Sequence, residues 1–287
     1  MSVGSTREEF PFFEKLGFAS IGPCRTMEPD ENLMRLQATN ALLEIYSFLN
    51  SKGRLPRLTL CGKMVEQEEF LLPSEWQQTT SQKDGIKLHL VMPCLGVPFS
   101  QCIGSIRTCS ELVIDCTNAA EIVSMSVMNI FFSDIRIAHI QKYLRSKMKA
   151  DAPLSALRSL MRSYIYAENI STKEINNIEL GDFFYIPGHP NYSDESHLNY
   201  ARGENVFCVG FKAGHPMFMG FSSCFISDPK TIEEIQKYLA HGYLKQPEGS
   251  DTVTVAFEQI LQKIKQQSFF LGKLDIQSII RRTVLSM

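Results

Sequence analysis

The chain has few of the features that mark membrane, nucleic-acid-binding or secreted proteins. Its longest apolar stretch, 122–132, is interrupted by Ser124, Ser126 and Asn129, so it predicts a buried core helix and not a membrane span. Lys and Arg total 29 against 31 Asp and Glu, which leaves a net charge of −2. A balance this close to neutrality gives no field that would attract nucleic acid or an acidic membrane, so we expect neither partner.

Sequence signals for export and for a metal or disulfide framework are also missing. Residues 1–9 contain no apolar signal core and include Glu8 and Glu9, which argues against a secretory leader. No two cysteines form a C-x-x-C pair; they lie at positions 24, 61, 94, 102, 109, 116, 208 and 224. We therefore expect reduced thiols, no metal and no cofactor, and a cytoplasmic location or leaderless deposition on a protein assembly.

The pattern that is present predicts an α+β protein. A length of 287 residues fits one large domain or two ordinary ones. Helical spacing occurs at 32–50, 134–148, 154–166, 231–243 and 253–267, and strands are predicted at 86–92 and repeatedly between 178 and 221. Gly96, Pro98 and Gly104 predict a loop or a short turn over 93–107. Because helices and strands form separate groups, the class is α+β and not an alternating β-α-β arrangement.

Cys116 is the first candidate for chemistry. It follows a short apolar run and Asp115, and the core-helix pattern begins directly after it. The unpaired N–H groups of a first helical turn favour a thiolate, so we expect the pKa of Cys116 to lie below its free value of about 8.5. A nucleophilic cysteine needs such a position. The alternative is a small buried residue without chemistry, because free cysteine is often fully buried.

A reactive thiol also needs a base. Two acids are candidates: Asp115, adjacent to the thiol, and Glu204, which opens an apolar strand directly after Gly203. The glycine suggests a constrained backbone at Glu204. The histidines lie at positions 89, 139, 189, 197, 215 and 241, and the sequence does not choose among them. His215 is kept as a candidate because it precedes a core strand in the region where a base is expected.

Three segments together resemble the small bacterial transglutaminases of spore coats, the protein-glutamine γ-glutamyltransferases. They are Asp115-Cys116-Thr117-Asn118-Ala119-Ala120, then Leu180-Gly181-Asp182 with Arg202-Gly203-Glu204-Asn205-Val206, and finally Leu274-Asp275-Ile276 with Ser278-Ile279-Ile280-Arg281. A weaker segment, Asp84-Gly85-Ile86-Lys87-Leu88 with Met92-Pro93, also fits. The resemblance covers 84–287, which we predict to be a catalytic domain. Residues 1–83 are predicted to be a helical and irregular N-terminal extension packed on it.

This resemblance implies a papain-like core, similar to NlpC/P60 peptidases, with the nucleophile at a helix N-terminus packed on an antiparallel sheet. It implies calcium-independent crosslinking, in which Cys116 attacks a glutamine carboxamide, releases ammonia and forms a thioester that a lysine amine then accepts. The activating glutamate of the family corresponds to Glu204, and its auxiliary acid corresponds to Asp115. The implied partners are proteins with accessible glutamine and lysine side chains.

One position departs from the family pattern. The family has a histidine before a glycine on the strand that follows the Arg-Gly-Glu-Asn-Val segment, and Met219 stands in that place here. Three outcomes stay open: the Cys116–Glu204 pair suffices, His215 takes the role, or the activity is altered or lost. Two other functions also stay open. One is a glutamine deamidase or amidohydrolase, in which water accepts the thioester; the other is a non-catalytic structural or binding protein.

Overall fold

The protein combines helices with antiparallel sheets, and the class is α+β as predicted. The computed structural model describes residues 29–54, 70–83, 86–149, 154–167, 170–172, 177–190, 203–221, 225, 228–244 and 251–284. The helices are α1 (Pro29–Lys52), α2 (Phe99–Thr108), α3 (Cys116–Phe131), α4 (Asp134–Lys147), α5 (Leu154–Arg162), α6 (Ile232–Leu244), α7 (Asp251–Lys265) and α8 (Ile276–Val284). None of these described helices is both long enough and apolar enough to cross a membrane.

A five-stranded antiparallel sheet occupies the second half of the chain. It is formed by β5 (Ile170–Thr172), β6 (Phe183–Pro187), β7 (Gly203–Lys212), β8 (His215–Gly220) and β9 (Phe269–Gly272). The strands described in the first half of the chain are β1 (Gly53–Arg54), β2 (Trp76–Lys83), β3 (Ile86–Pro93) and β4 (Leu112–Val113). The order in the sheet is β5-β9-β6-β7-β8. β7 and β8 form a hairpin whose turn residues, Ala213 and Gly214, have φ values of 49° and 79°. Two positive φ values match the right-handed twist of paired strands.

The helix that begins at Cys116, α3, is buried along most of its length. Every side chain from Ile122 to Met128 is buried. Ser124 and Ser126 fit this apolar surrounding because their hydroxyls donate to carbonyl groups of their own helix, at 2.9 and 2.6 Å. The helix packs along α1 and also contacts β7 of the sheet. The helix that carries Cys116 is therefore packed between another helix and the sheet.

The described part of the predicted N-terminal extension shares the core of the protein. Ala38, Leu42 and Ile45 of α1 are buried in the same hydrophobic cluster as α3. Tyr46 of α1 also donates a hydrogen bond to the carbonyl of Phe225, at 3.2 Å. The predicted boundary between 83 and 84 stays a prediction.

The predicted loop over 93–107 is wrong, because α2 occupies much of that stretch. Pro98 directly precedes the first turn of α2. Proline has no backbone N–H group, and at a helix start this group would have no partner within the helix, so proline is tolerated there. Gly104 sits inside the helix with open space around it. The buried residues of α2 have the spacing of one helix face: Phe99, Cys102, Ile103 and Ile106. Apolar periodicity thus outweighs the proline and glycines that suggested a loop.

Candidate active site

Cys116 is the first residue of α3, and Asp115 is the N-cap of that helix. Asp115 has an extended backbone, with φ −83° and ψ 167°, and its Oδ1 accepts a hydrogen bond from the Asn118 N–H at 2.7 Å. The Asn118 side-chain amide also donates to Asp115 Oδ2 at 2.9 Å. The Asp115 carboxylate thus accepts both from the backbone N–H and from the side chain of the third helical residue, which caps the helix. It fixes the helix start at the thiol, as predicted.

Asn118 extends this cap into a buried polar chain. Only 1% of Asn118 is exposed, and its Oδ1 accepts from the Val91 N–H at 2.9 Å and from Arg158 Nη1 at 2.7 Å. Val91 belongs to β3 and Arg158 to α5, so three elements meet at the first turn of α3. Neither Asn118 nor Arg158 is identifiable from the sequence, because a polar side chain within a helical pattern carries no signal of a distant partner.

Glu204 enters the site from the sheet. It is the second residue of β7, pairs with Ile186 of β6 and is 4% exposed. Its carboxylate lies close enough to the Cys116 thiol for its charge to raise the pKa of that thiol. The fold therefore places the Glu204 carboxylate within electrostatic range of a thiol that is far from it in the sequence.

The pKa of the Cys116 thiol is raised to about 11, so the expectation of a lowered pKa is wrong. The largest cause is burial of the sulfur, and the negative charges of Asp115 and Glu204 add to it. Hydrogen bonds from the Thr117 hydroxyl and from the backbone N–H of Cys116 oppose the rise. The donors of the helix start are present, but burial and two carboxylates outweigh them. The thiol is therefore neutral at pH 7.

The Asp115 carboxyl is perturbed as well. Its pKa lies above the ordinary value, because burial raises it and the hydrogen bonds from Asn118 and the positive charge of Arg158 offset only part of that rise. Burial favours the protonated form of an acid, and a nearby cation favours the ionised form. Arg158 therefore supports the ionised state of an acid that sits next to the candidate nucleophile.

The structure does not bring His215 into this site. His215 pairs with Lys212 at the turn of the β7–β8 hairpin, whereas Glu204 lies at the other end of β7. With a rise of about 3.3 Å per residue, the eight residues from Glu204 to Lys212 span roughly 25 Å. His215 is also exposed, and it lines a cleft of about 570 Å³ at that far end of the hairpin. The suggested role of His215 as a base for Cys116 is therefore not supported by the geometry.

Met219 does not point toward Glu204 either. It pairs with Phe207 of β7 and is 6% exposed. Residues directly opposite each other on paired strands share a face, and residues an odd number apart along a strand point to opposite faces. Met219 therefore shares the face of Phe207 and lies on the face opposite Glu204. Of the three outcomes left open by the missing histidine, only the sufficient Cys116–Glu204 pair and an altered or lost activity remain.

His189 is buried, although the sequence around it is rich in polar residues, proline and glycine. It is 5% exposed, and its ring stacks on Tyr243 with 4.2 Å between ring centroids. Burial lowers the pKa of its imidazole. His189 follows Pro187, which pairs with Gly203, so it lies at the same end of the sheet as the start of β7. Among the other histidines, His139 and His241 are exposed on helices, His89 lies in β3, and His197 lies outside the described residues.

Two of the segments that carry the resemblance meet in a buried ion cluster instead of at the thiol. Asp182 is fully buried, and its carboxylate accepts four hydrogen bonds, from Arg35 Nη1 (3.4 Å), Lys273 Nζ (2.7 Å), the Glu179 N–H (3.0 Å) and the Leu274 N–H (3.1 Å). Arg35 of α1 also donates to the Leu274 carbonyl at 2.9 Å. The turn before β6 and the segment before α8 are thus tied to α1, which gives these motifs a structural role.

No metal centre is apparent in the part of the chain that the structure describes. Within those residues, no group of three or more His, Cys, Asp or Glu side chains is arranged to hold a metal ion. The described site at Cys116 therefore consists of its thiol, the carboxylates of Asp115 and Glu204, and the hydrogen-bonded side chains of Asn118 and Arg158 that support Asp115.

Comparison of the chain with protein-family models, with curated protein sequences and with solved structures gives no match. The fold and the site define an α+β protein with a partly buried thiol at the start of a core helix and a buried carboxylate, Glu204, whose charge acts on that thiol. Assignment of a particular reaction to this protein rests on the chemistry of Cys116 and Glu204 and on the resemblance of its sequence segments to the transglutaminases.

Gly203 controls the position of Glu204, and we expect Gly203→Ala to destabilise the protein. Its φ of 146° is rarely adopted by other residues, and an added Cβ would lie 2.6 Å from both the Ile186 carbonyl oxygen and the Tyr185 hydroxyl. Strain of this kind costs about 1–3 kcal/mol. Urea unfolding followed by circular dichroism measures the loss.

Gly104→Ala is the matched control for that substitution. Gly104 lies in the interior of α2 with no atom within 4 Å of an added Cβ, so alanine there should stabilise the helix by about 0.5–1 kcal/mol. If Gly203→Ala is as stable as the unmodified protein, the backbone constraint at Glu204 is disproved.

Proposed function

We propose that this chain is a protein-glutamine γ-glutamyltransferase with a papain-like core, in which Cys116 is the nucleophile and Glu204 is the general base. The observation that carries the proposal is a buried Glu204 carboxylate whose charge acts on a partly exposed thiol at the start of a core helix. Burying an acid is unfavourable, and strongly perturbed ionisable groups cluster at functional sites. The sequence resemblance around both residues supplies the reaction class.

In the first half-reaction, Cys116 Sγ attacks the carbonyl carbon of a glutamine side chain while Glu204 accepts the thiol proton. The carbon–nitrogen bond of the carboxamide then breaks, and Glu204 returns the proton to the leaving nitrogen, which departs as ammonia. The acyl group stays on Sγ as a thioester. Glu204 thus acts first as a base and then as an acid.

In the second half-reaction, a neutral lysine amine attacks the thioester carbon. Glu204 accepts a proton from the amine and gives it to the departing sulfur, so that the isopeptide bond forms and the Cys116 thiol is restored. The substrates are therefore proteins with accessible glutamine and lysine side chains. His215 has no place in these steps.

A thiol with a pKa of about 11 suits this mechanism better than a preformed thiolate does. On the order of 10⁻⁴ of such a thiol is ionised at pH 7, so the proton must leave during the attack and needs an adjacent acceptor. A thiolate of high pKa is also the stronger intrinsic nucleophile. Once the thioester forms, the sulfur carries no charge, and its repulsion by Asp115 and Glu204 disappears.

A non-catalytic protein on the same fold is the second candidate. It is favoured by the high pKa of Cys116, which keeps the thiol unreactive in the absence of a base, and by Met219 in place of a titratable residue. In this reading Asp115 and Asn118 simply cap α3. The two candidates differ in whether any product depends on Cys116.

One assay separates the candidates. The protein is incubated with a glutamine donor peptide, with and without a labelled primary amine, and both amine incorporation and ammonia release are measured. We expect both products, their loss in Cys116→Ala, and no effect of EDTA. Cys94→Ala is the matched control, because Cys94 is also a partly exposed free thiol and should be dispensable.

The other outcomes of the assay have defined meanings. Ammonia release without amine incorporation would mean that water accepts the thioester, and would replace the transferase by a glutamine deamidase. Absence of any product that depends on Cys116 would leave the non-catalytic protein. A strict requirement for calcium would contradict the family assignment.

A further inference from the structure

A series of side-chain hydrogen bonds begins at Asp115, the N-cap of α3, and leads to a buried cation, Arg158. Arg158 of α5 is 8% exposed, and its Nη1 donates to Asn118 Oδ1 at 2.7 Å. The amide of Asn118 donates to Asp115 Oδ2 at 2.9 Å. A guanidinium from one helix is therefore linked through one amide to a carboxylate adjacent to the thiol.

We propose that Arg158 is a positioning residue that, through Asn118, favours the ionised form of the Asp115 carboxylate and holds it at the first turn of α3, and thereby sets the charge next to Cys116. The proposal deepens the proposed function, because its consequence for chemistry rests on Cys116 being the nucleophile. Arg158 itself touches no reacting atom. It acts on an acid, and that acid acts on the thiol.

Geometry and electrostatics agree on this role. Asn118 Oδ1 accepts from two donors, the Val91 N–H and Arg158 Nη1, which fixes the amide so that its nitrogen faces Asp115. Arg158 also lowers the pKa of Asp115 against the effect of burial. The charged groups that act on the Cys116 thiol are Asp115 and Glu204. Only the first of them is joined to Arg158 by this chain of hydrogen bonds.

A neighbouring arginine provides a matched control. Arg162 lies one turn further along α5 and also bridges to α3, through an ion pair of 3.0 Å with Glu121. Replacing Arg162 therefore removes a cation and an α3–α5 contact, but it leaves the hydrogen bonds that link Arg158 through Asn118 to Asp115 in place. An effect that belongs to Arg158 alone cannot be a general result of loosening the two helices.

The direct test is the titration of Asp115 itself, read by NMR of protein carrying ¹³C-carboxyl aspartate, with the resonance assigned by its absence in Asp115→Asn. In Arg158→Met we expect the titration midpoint of Asp115 to move up by about one pH unit or more, because a nearby guanidinium lowers an acid's pKa by about 1–3 units. Arg158→Lys keeps the charge and should retain most of the original midpoint. Arg162→Met should leave the midpoint unchanged. An unshifted midpoint in folded Arg158→Met overturns the proposal.

Arg158→Met leaves the partly exposed Asp115 carboxylate without its nearby cation and removes a buried hydrogen bond to Asn118, so this variant can unfold. The double variant Asp115→Asn/Arg158→Met removes both charges, and asparagine is still a good N-cap. If Arg158→Met unfolds, we expect the double variant to recover a cooperative thermal transition, and failure to recover it overturns the proposal. Both measurements need no substrate. A shifted midpoint in a protein without Cys116-dependent turnover would refute the proposed function and leave this inference standing.

Discussion

Glu204→Gln should lower Cys116-dependent amine incorporation by about 10²-fold or more, which is the usual contribution of a general base. Glutamine has nearly the shape of glutamate but cannot accept the thiol proton or return it to the leaving nitrogen. Because the thiol is neutral at pH 7, no alternative route supplies a useful amount of thiolate. Initial rates of amine incorporation at saturating donor measure the effect.

A surface substitution controls for the removal of one negative charge. Glu258 is exposed on α7, and Glu258→Gln should leave the rate of amine incorporation unchanged. Equal rates for Glu204→Gln and the unmodified protein would remove Glu204 from the mechanism, even if Cys116 remained essential.

Asp182→Asn should produce the largest loss of stability, about 3–5 kcal/mol of unfolding free energy, which is typical when one partner of a buried ion pair is removed. The Asp182 side chain is fully buried and is bound by Arg35 and Lys273. Asparagine leaves both cations without this partner and turns an amide group toward donors that need an acceptor. Urea unfolding followed by circular dichroism measures the change.

The control for Asp182→Asn is an ion pair of similar length on the surface. Arg107 and Glu44 are 3.0 Å apart, with 40% and 60% of their side chains exposed. An exposed pair contributes less than about 1 kcal/mol, so Glu44→Gln should stay close to the unmodified protein. A loss of 1 kcal/mol or less in Asp182→Asn would contradict the view that the 180–182 turn and the 274–276 segment hold α1 in place.

Local pattern in the sequence predicts most of the described fold. The apolar run after Cys116 predicts α3, and the pattern at 32–50 predicts α1, because helical spacing extends over several turns in both. The stretch 93–107 differs from its sequence-based prediction. Gly96, Pro98 and Gly104 favour a loop there, but four apolar residues of helical spacing are buried in the core and stabilise a helix instead.

The site is predictable only in part, because its properties depend on partners that are distant in the sequence. Cys116 and Glu204 are recognisable by residue type and local context. The direction of the pKa shift of Cys116 is not, since it depends on how deeply the sulfur is buried and on a charge carried in by β7. Arg158 is likewise an ordinary helical residue until the fold places it on Asn118. His189 belongs to a polar segment and is nevertheless buried against Tyr243.

The most direct test of the account is the pH dependence of alkylation at Cys116, followed by mass spectrometry of the Cys116 peptide, in the unmodified protein and in Glu204→Gln. We predict a midpoint near 11 in the unmodified protein, and a lower midpoint in the variant because a like charge beside the sulfur has been removed. The same substitution therefore eases ionisation of the thiol while it abolishes most turnover. A midpoint of about 8.5 that does not move in Glu204→Gln would mean that the carboxylate does not act on the thiol, and would contradict the account.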